Sequence, residues 1–168
     1  MKNIVLTGFM GTGKTEVGKE LSIRLGFTFI DMDEKIVKKE GMPITEIFKT
    51  HGEPYFRDIE TNIIKNISKQ KNVVISTGGG AVLKEENMSS LKEHGIIVWL
   101  KASPESILKR TANDSTRPLL QVNDPLKKIK ELLAYRTPFY EKADIMVDTE
   151  GKTPREIAEE ILKGAKNI

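Results

Sequence analysis

The sequence predicts an α/β protein, a three-layer sandwich in which helices cover both faces of a five-stranded parallel sheet. Three observations predict it. Short apolar runs alternate with stretches of helical periodicity from one end of the chain to the other. The apolar runs are only four or five residues long, which is typical of parallel strands buried on both faces. Helix start signals, in which a capping residue precedes a first-turn proline, fall between the runs.

Five apolar runs are the predicted strands, in chain order I-V-L-T (4–7), F-T-F-I (27–30), V-V-I-S (73–76), I-I-V-W-L (96–100) and I-M-V-D (145–148). Helices are predicted where apolar residues recur at spacing four, at Val17, Leu21 and Leu25 and at Ile59, Ile63 and Ile67. Further helix starts are predicted at Ser103-Pro104, at Asp124-Pro125 and at T-P-R-E (153–156), whose glutamate would complete a capping box.

Length and composition limit the class of protein. The 168 residues fit one domain, spanning 1–168, and 38% hydrophobic with 30% charged residues is ordinary for a soluble chain. Without cysteine, disulfides and thiolate metal sites are excluded. No apolar run is long enough for a membrane span or a signal peptide. The net charge of +3 arises from mixed charges, not a basic stripe. We expect a cytoplasmic monomer that binds small molecules, with neither nucleic acid nor membrane as partner.

The segment G-F-M-G-T-G-K-T (8–15) follows the first predicted strand and matches G-x-x-x-x-G-K-[ST]. Glycines let several backbone N–H groups point at one centre, and the next helix adds its positive N-terminus, so the segment suits a phosphate. Lys14 would reach the terminal phosphates, and Thr15 would offer its hydroxyl to Mg²⁺. The alternative is an ordinary glycine-rich turn with a surface lysine. The strand–loop–helix context favours phosphate binding.

Two more motifs follow predicted strands. In D-M-D (31–33), two carboxylates at the end of the second strand would point into the ligand crevice of a parallel sheet, although Asp31 could equally be a helix N-cap. In S-T-G-G-G (76–80), the glycines allow a ligand to approach the backbone, or simply form a flexible helix entry. Ser76 stands where a magnesium-binding aspartate is expected after this strand. Mg²⁺ would then depend on Thr15 and Asp31.

Residues 111–124, T-A-N-D-S-T-R-P-L-L-Q-V-N-D, have no clear period and are long for a connection. Such loops are usually functional, often lids, or else disordered. The sequence favours a lid, with Arg117 at its centre. We expect Arg117 to be mobile in the empty protein and to be recruited only when phosphates offer it a partner.

F-R-D-I-E (56–60) and Y-R-T-P-F-Y (135–140) complete a series of six motifs in order, and together they make the chain resemble the shikimate kinases from end to end. The resemblance implies a P-loop, nucleoside-monophosphate-kinase-like fold with a substrate-binding region at about 33–60 and a mobile lid at about 111–124. It implies ATP-dependent phosphorylation of the shikimate 3-hydroxyl, giving shikimate 3-phosphate and ADP, in chorismate and aromatic amino-acid biosynthesis. One Mg²⁺ ion would accompany ATP.

The resemblance also assigns residues. The nucleotide would be bound by the glycine-rich loop and the start of the helix after it, at Gly11, Thr12, Gly13, Lys14, Thr15 and Glu16. Three further basic side chains would also bind it: Arg110, Arg117 and Lys152. Of these, Arg110 would stack on adenine, and Lys152 is the nearest match to a basic residue that the family often places there. Shikimate would be bound by Asp33, Arg57, Gly79, Gly80 and Arg136, with Glu60 orienting Arg57. Thr15 and Asp31 would hold Mg²⁺. The catalytic residues would be Lys14, Asp33 and Arg117.

The arginines support this assignment independently. Arginine suits two-pronged binding of carboxylate and phosphate. Four of the six arginines occupy proposed ligand positions: Arg57, Arg110, Arg117 and Arg136. Two rival functions remain at this stage. A kinase of the same fold could act on another small acid, such as gluconate, and a regulatory nucleotide-binding module could have lost catalysis, which the intact Lys14, Asp33 and Arg117 disfavour. Whether Asp33 accepts the proton or only orients the hydroxyl is left open by the sequence.

Overall fold

The structure, a computed structural model, describes residues 2–168. Within that range five strands form one all-parallel sheet in the order β2-β3-β1-β4-β5. The strands are β1 Asn3–Thr7, β2 Thr28–Asp31, β3 Val73–Ser76, β4 Gly95–Lys101 and β5 Ile145–Asp148. All five predicted strands are confirmed, and the predicted bounds differ by at most one residue at either end.

Helices connect the strands: α1 Lys14–Leu25, α2 Met32–Glu40, α3 Ile44–Ile67, α4 Glu85–His94, α5 Pro104–Thr111, α6 Pro125–Tyr140 and α7 Pro154–Ala165. The three predicted start signals are confirmed. Ser103 and Asp124 accept hydrogen bonds from the backbone of α5 and α6, and Thr153 forms a capping box with Glu156. The long helix α3 bends at Gly52, whose φ of 82° is left-handed. None of the helices described is long and apolar enough to cross a bilayer.

The sheet separates two hydrophobic cores, which makes the molecule a three-layer sandwich. On one face, Val5 and its neighbours in β3 and β4 pack against apolar residues of α2, α3 and α4. On the other face, Ile4 and Leu6 pack against α1 and α7. Because alternate residues of each strand point to opposite faces, a strand between two cores must be apolar on both faces, as β1 is over 4–6 and β4 over 96–100.

The parallel sheet places the sequence motifs together. Asp31 and Leu6 both pair in register with Ser76, so the carboxyl ends of β1, β2 and β3 lie side by side. The glycine-rich loop, the D-M-D motif and the three-glycine segment therefore start at the same edge of the sheet, where open α/β sheets bind ligands.

Candidate active site

The glycine-rich loop joins β1 to α1 in a conformation that needs its glycines. Gly8, Gly11 and Gly13 have φ values of 135°, 78° and 88°, which residues with a side chain rarely adopt. Helix α1 begins at Lys14 with Gly13 as its N-cap, so no side chain occupies the first N–H groups of the helix. Those groups and the helix dipole are thereby left available to an anion.

Lys14 is buried and folded against its own loop. Its Nζ donates hydrogen bonds to the carbonyls of Gly8 (2.9 Å) and Phe9 (2.8 Å). Burial lowers the pKa of Lys14 to about 7, and the nearby charge of Arg117 acts in the same direction. A phosphate beside this amine would favour its charged form and give it a stronger partner than the two carbonyls.

Asp31 satisfies both interpretations of the D-M-D motif. Its Oδ1 accepts hydrogen bonds from the N–H groups of Asp33 (2.9 Å) and Glu34 (3.3 Å), which caps α2. Its Oδ2 accepts a hydrogen bond of 3.0 Å from the Thr15 hydroxyl. A hydroxyl and a carboxylate are hard oxygen donors that suit Mg²⁺. Across residues 2–168 no cluster of three or more His, Cys, Asp or Glu side chains could hold a metal alone, so further ligands would have to come from phosphates and water.

Two adjoining cavities lie over these motifs. A cleft of about 900 Å³ runs along the loop and is lined by Gly11, Gly13, Lys14, Thr15, Glu16, Asp31, Asp33, Gly79, Arg110 and Arg117, among others. A smaller cavity of about 60 Å³, which we call the acid pocket, is lined by Asp33, Arg57, Gly79, Gly80, Arg117 and Arg136, together with apolar residues. Because Asp33, Gly79 and Arg117 line both cavities, the two are neighbours across these residues.

The acid pocket contains two guanidinium groups. Arg136 is only 2% exposed, and its Nε and Nη1 are buried without a hydrogen-bond partner among the residues described. Arg57 is better satisfied, donating to Glu60 (3.0 Å) and Glu53 (3.2 Å). A buried cation with unpaired donors is costly unless an anion joins it. The pocket is therefore suited to a carboxylate.

Glu60 is the third charged residue of this cluster and contacts Arg57. Its carboxylate is fully buried; Oε1 accepts the hydrogen bond from Arg57, whereas Oε2 is unpaired. Burial raises the pKa of Glu60, while the charge and hydrogen bond of Arg57 oppose that shift. The structure thus brings Glu60 and Arg57 together as the sequence predicts.

The three-glycine segment has a reason for its glycines that sequence analysis missed. None of the three has a positive φ, so the backbone itself does not demand glycine. A Cβ atom would instead meet a different charged side chain at each position: Glu60 Oε2 at 2.6 Å from Gly78, Arg136 Nη1 at 3.1 Å from Gly79 and Arg57 Nη2 at 2.4 Å from Gly80. The missing side chains make room for the charged groups of the acid pocket.

Arg117 differs from its prediction in one respect. Its Nη1 lies 3.0 Å from Asp33 Oδ2, and its Nε lies 3.1 Å from Asp114 Oδ2. The expectation that it has no partner before phosphates arrive is therefore wrong, because the segment lies over carboxylates that attract it. A short 3₁₀ turn, Pro118–Leu120, anchors the segment through buried Leu120. Its movement as a lid stays a prediction.

The remaining predicted residues divide into two groups. Thr12 is buried with its hydroxyl on the Phe9 carbonyl (2.8 Å), and Arg110 lines the cleft and donates to the Gly11 carbonyl (3.1 Å). Lys152 is not brought into the cleft. It follows β5 and forms an ion pair of 2.7 Å with Glu160 on α7. A contact between Lys152 and adenine would require this pair to open, and it stays a prediction.

Comparison with known proteins gives one answer. The shikimate kinase family model matches residues 10–166. A shikimate kinase of Thermodesulfovibrio yellowstonii is 57% identical over 97% of this chain and 94% of its own, and one of Caldanaerobacter subterraneus is 52% identical over 97% and 95%. The solved structure of a shikimate kinase from Acinetobacter baumannii in complex with shikimate superposes with a TM-score of 0.97 at 40% identity, covering 99% of this chain and 94% of that one. A gluconokinase from Sinorhizobium meliloti 1021, at 23% identity and a TM-score of 0.64 over 99% and 92% of the two chains, shares the fold.

Proposed function

The chain belongs to the shikimate kinase family, and we propose that it transfers the terminal phosphoryl group of ATP to the 3-hydroxyl of shikimate. The products are shikimate 3-phosphate and ADP, in the pathway to chorismate and the aromatic amino acids. We propose that residues 1–168 act as a single domain and as a monomer in the cytoplasm.

The observation that carries this proposal is the unpaired guanidinium of Arg136 beside Arg57, next to the phosphate loop. Arg136 is a buried cation with unpaired donors, Arg57 beside it is partly buried and already paired with Glu60 and Glu53, and a planar carboxylate fits the fork of each arginine. Asp33 lines the same pocket and offers a carboxylate to ring hydroxyls. An acceptor with one carboxylate and several hydroxyls, such as shikimate, matches this set of groups.

The nucleotide side is formed by the glycine-rich loop. Gly11 to Thr15 surround the phosphates with backbone N–H groups, and Lys14 turns from its loop carbonyls to the terminal phosphates. Glu16 and Arg110 line the same cleft. In this proposal Arg110 stacks on the adenine ring. Thr15 and Asp31 hold one Mg²⁺ ion, which when bound neutralises charge on the phosphate oxygens.

The transfer step depends on position and charge more than on covalent help by the protein. Arg117 leaves Asp33 for the phosphates, which frees the Asp33 carboxylate for the attacking hydroxyl. The hydroxyl oxygen bonds to the terminal phosphorus, the bond to the ADP oxygen breaks, and Asp33 orients the hydroxyl and takes its proton. Lys14 and Arg117 stabilise the charge that develops on the transferred group. Closure of 111–124 excludes water.

A coupled assay of ADP release across shikimate, gluconate and nucleoside monophosphates tests the proposal. Shikimate is expected to support turnover. Nucleoside monophosphates, which have no carboxylate, are expected to give only background hydrolysis. Gluconate has a carboxylate and hydroxyls but carries them on an open chain and not on a ring, so it is expected to be a much poorer acceptor than shikimate. Turnover with gluconate alone would assign the site to another acid. Nucleotide binding without turnover on any acceptor would indicate a module that has lost catalysis.

A further inference from the structure

Tyr140 lies at the end of α6, one helical turn after Arg136, and its hydroxyl donates a hydrogen bond to the carbonyl of Gly79. The ring is 1% exposed and stacks on Trp99, with the ring centroids 5.9 Å apart and the planes at 20°. Burial raises the pKa of Tyr140 to about 12, so the hydroxyl keeps its proton and remains a donor at physiological pH. The residue belongs to the motif Y-R-T-P-F-Y, but the sequence alone does not assign it a role.

The hydrogen bond reaches the peptide from behind the pocket. Gly79 and Gly80 line the acid pocket, whereas Tyr140 lines a separate cavity with Trp99 and Phe9. The peptide bond between residues 79 and 80 is trans, so the Gly80 N–H points opposite to the Gly79 carbonyl. With the carbonyl held by Tyr140, the N–H is directed to the pocket side. In the described part of the chain, neither the Gly79 nor the Gly80 N–H has an acceptor.

The charged groups around this peptide make its orientation important. Arg136 Nη1 and Arg57 Nη2 are the atoms nearest to the position that a Cβ would take at Gly79 and at Gly80, respectively. A rotated peptide would turn a carbonyl oxygen into the pocket, where it would compete with a bound carboxylate for the two guanidinium groups. The hydrogen bond from the Tyr140 hydroxyl to the Gly79 carbonyl opposes this rotation.

We propose that Tyr140 is a positioning residue, which holds the 79–80 peptide so that the Gly80 N–H is a third donor, beside Arg57 and Arg136, to an oxygen atom of the bound acid. This inference rests on the proposed function, because it assumes that the acid binds between the two arginines. Tyr140 itself does not touch the substrate. Its hydroxyl donates to the Gly79 carbonyl and lies beside the Arg136 guanidinium, so its effect passes through these two groups.

The substitution Tyr140→Phe tests the inference, because it removes the hydroxyl and keeps the stacked ring. The KM for shikimate is expected to rise about tenfold, the loss that corresponds to about 1.4 kcal/mol, while the KM for ATP stays unchanged. Tyr135→Phe is the matched control: Tyr135 is on the same helix and 63% exposed, and its loss of a hydroxyl should change neither constant. In the wild-type protein, the amide resonance of Gly80 should shift when shikimate is added.

The results separate three explanations. An unchanged KM for shikimate in Tyr140→Phe, or a Gly80 amide that does not respond to shikimate, overturns the positioning role. Equal losses for both substrates together with a lower melting temperature assign Tyr140 to the core alone and also overturn it. Arg57→Ala reports on the proposed function separately: if it also leaves the shikimate KM unchanged, the acid does not bind between the arginines, and if it raises that KM while Tyr140→Phe does not, only the positioning role fails.

Discussion

Among the individual residues, Glu60 lowers the stability of the folded protein but holds Arg57 in place for the substrate. Its buried carboxylate holds Arg57 with one oxygen and leaves the other unpaired. Burial raises its pKa in spite of Arg57, which means that ionising it in the folded protein costs more than ionising it in the unfolded chain. A neutral side chain of the same shape would avoid that cost, but it would hold Arg57 less firmly.

Glu60→Gln should therefore change stability in a pH-dependent way. The wild-type protein loses stability as pH rises from the unfolded pKa of Glu60 through its raised folded pKa, because the unfolded chain releases the proton more readily. The glutamine variant has no such loss, so its free energy of unfolding should improve relative to wild type as pH rises above the ordinary glutamate pKa of about 4. Its KM for shikimate should rise about tenfold, because a hydrogen bond to charged Arg57 is weakened. Denaturant titrations and initial rates measure the two effects.

Glu53→Gln is the control for this prediction. Glu53 also contacts Arg57, at 3.2 Å, but its side chain is 45% exposed, and removing its charge leaves the buried carboxylate of Glu60 in place. The stability difference between this variant and wild type should not vary with pH in that way. A Glu60→Gln variant that becomes less stable relative to wild type as pH rises would contradict the account of the buried carboxylate.

Among the structural elements, the three-glycine segment after β3 packs closely against charged side chains from other elements. In Gly80→Ala, a Cβ would lie 2.4 Å from Arg57 Nη2, and the flexible guanidinium would have to move. Misplacing a binding group by about an ångström costs on the order of a hundredfold, so kcat/KM for shikimate should fall by that order while the KM for ATP is unchanged. Steady-state kinetics with each substrate varied in turn measures this.

Gly164→Ala provides the comparison. The new Cβ would be crowded too, at 3.1 Å from Ile145 Cδ1, but Gly164 lies on α7 and away from both cavities. This variant should keep both kinetic constants. If Gly80→Ala bound shikimate as well as Gly164→Ala does, the glycines would not be spacers for the charged groups.

The segment 111–124 is the second structural element that contributes to the site. Arg117 holds Asp33 in the empty site, and we expect it to move to the phosphates in the reacting complex. Turnover should fall in the order wild type, Arg117→Lys, Arg117→Ala, because lysine keeps the charge without the fork. The affinity for shikimate in the absence of nucleotide should not weaken in Arg117→Ala, because in that variant no ion pair with residue 117 has to break before Asp33 can bind the substrate. Isothermal titration separates this binding from turnover.

Hydrogen exchange across 111–124 tests the lid itself. Exchange should slow when an ATP analogue and shikimate are both bound. Full protection in the empty protein, or normal turnover by Arg117→Ala, would show that the segment is not a lid.

In the whole molecule, the fold could be predicted from the sequence because the three central strands, β3, β1 and β4, are buried between two cores. An uninterrupted run such as V-V-I-S leaves little choice of structure, and its bounds are predicted to the residue. The phosphate loop was predictable for a related reason, because its glycines and lysine are close in the chain. Residues far apart in the chain were harder. The Asp33–Arg117 pair joins positions 84 residues apart and could not be seen before folding.

Contacts between residues far apart in the chain also explain the other differences between the predicted and the observed site. Lys152 was placed near adenine by its position after the last strand, but its partner is set by α7, where Glu160 lies within 2.7 Å. The glycines at 78–80 suggested ligand approach, whereas their closest neighbours are Glu60, Arg136 and Arg57 from other elements. Tyr140 gave no signal in the sequence beyond its presence in a motif. Tertiary packing decides the contacts of all these residues, and a single sequence does not show that packing.

We propose that Arg57 and Arg136 recognise the carboxylate of the acceptor beside the phosphate loop, and a comparison of the acid with its ester tests this proposal. The ratio of kcat/KM for shikimate to that for its methyl ester should be measured in wild type and in Arg136→Ala. We expect wild type to favour shikimate by about 2–5 kcal/mol and the variant to lose most of that preference, with an unchanged KM for ATP. An ester used as well as the acid by wild type, or an equal preference in both proteins, would contradict the claim.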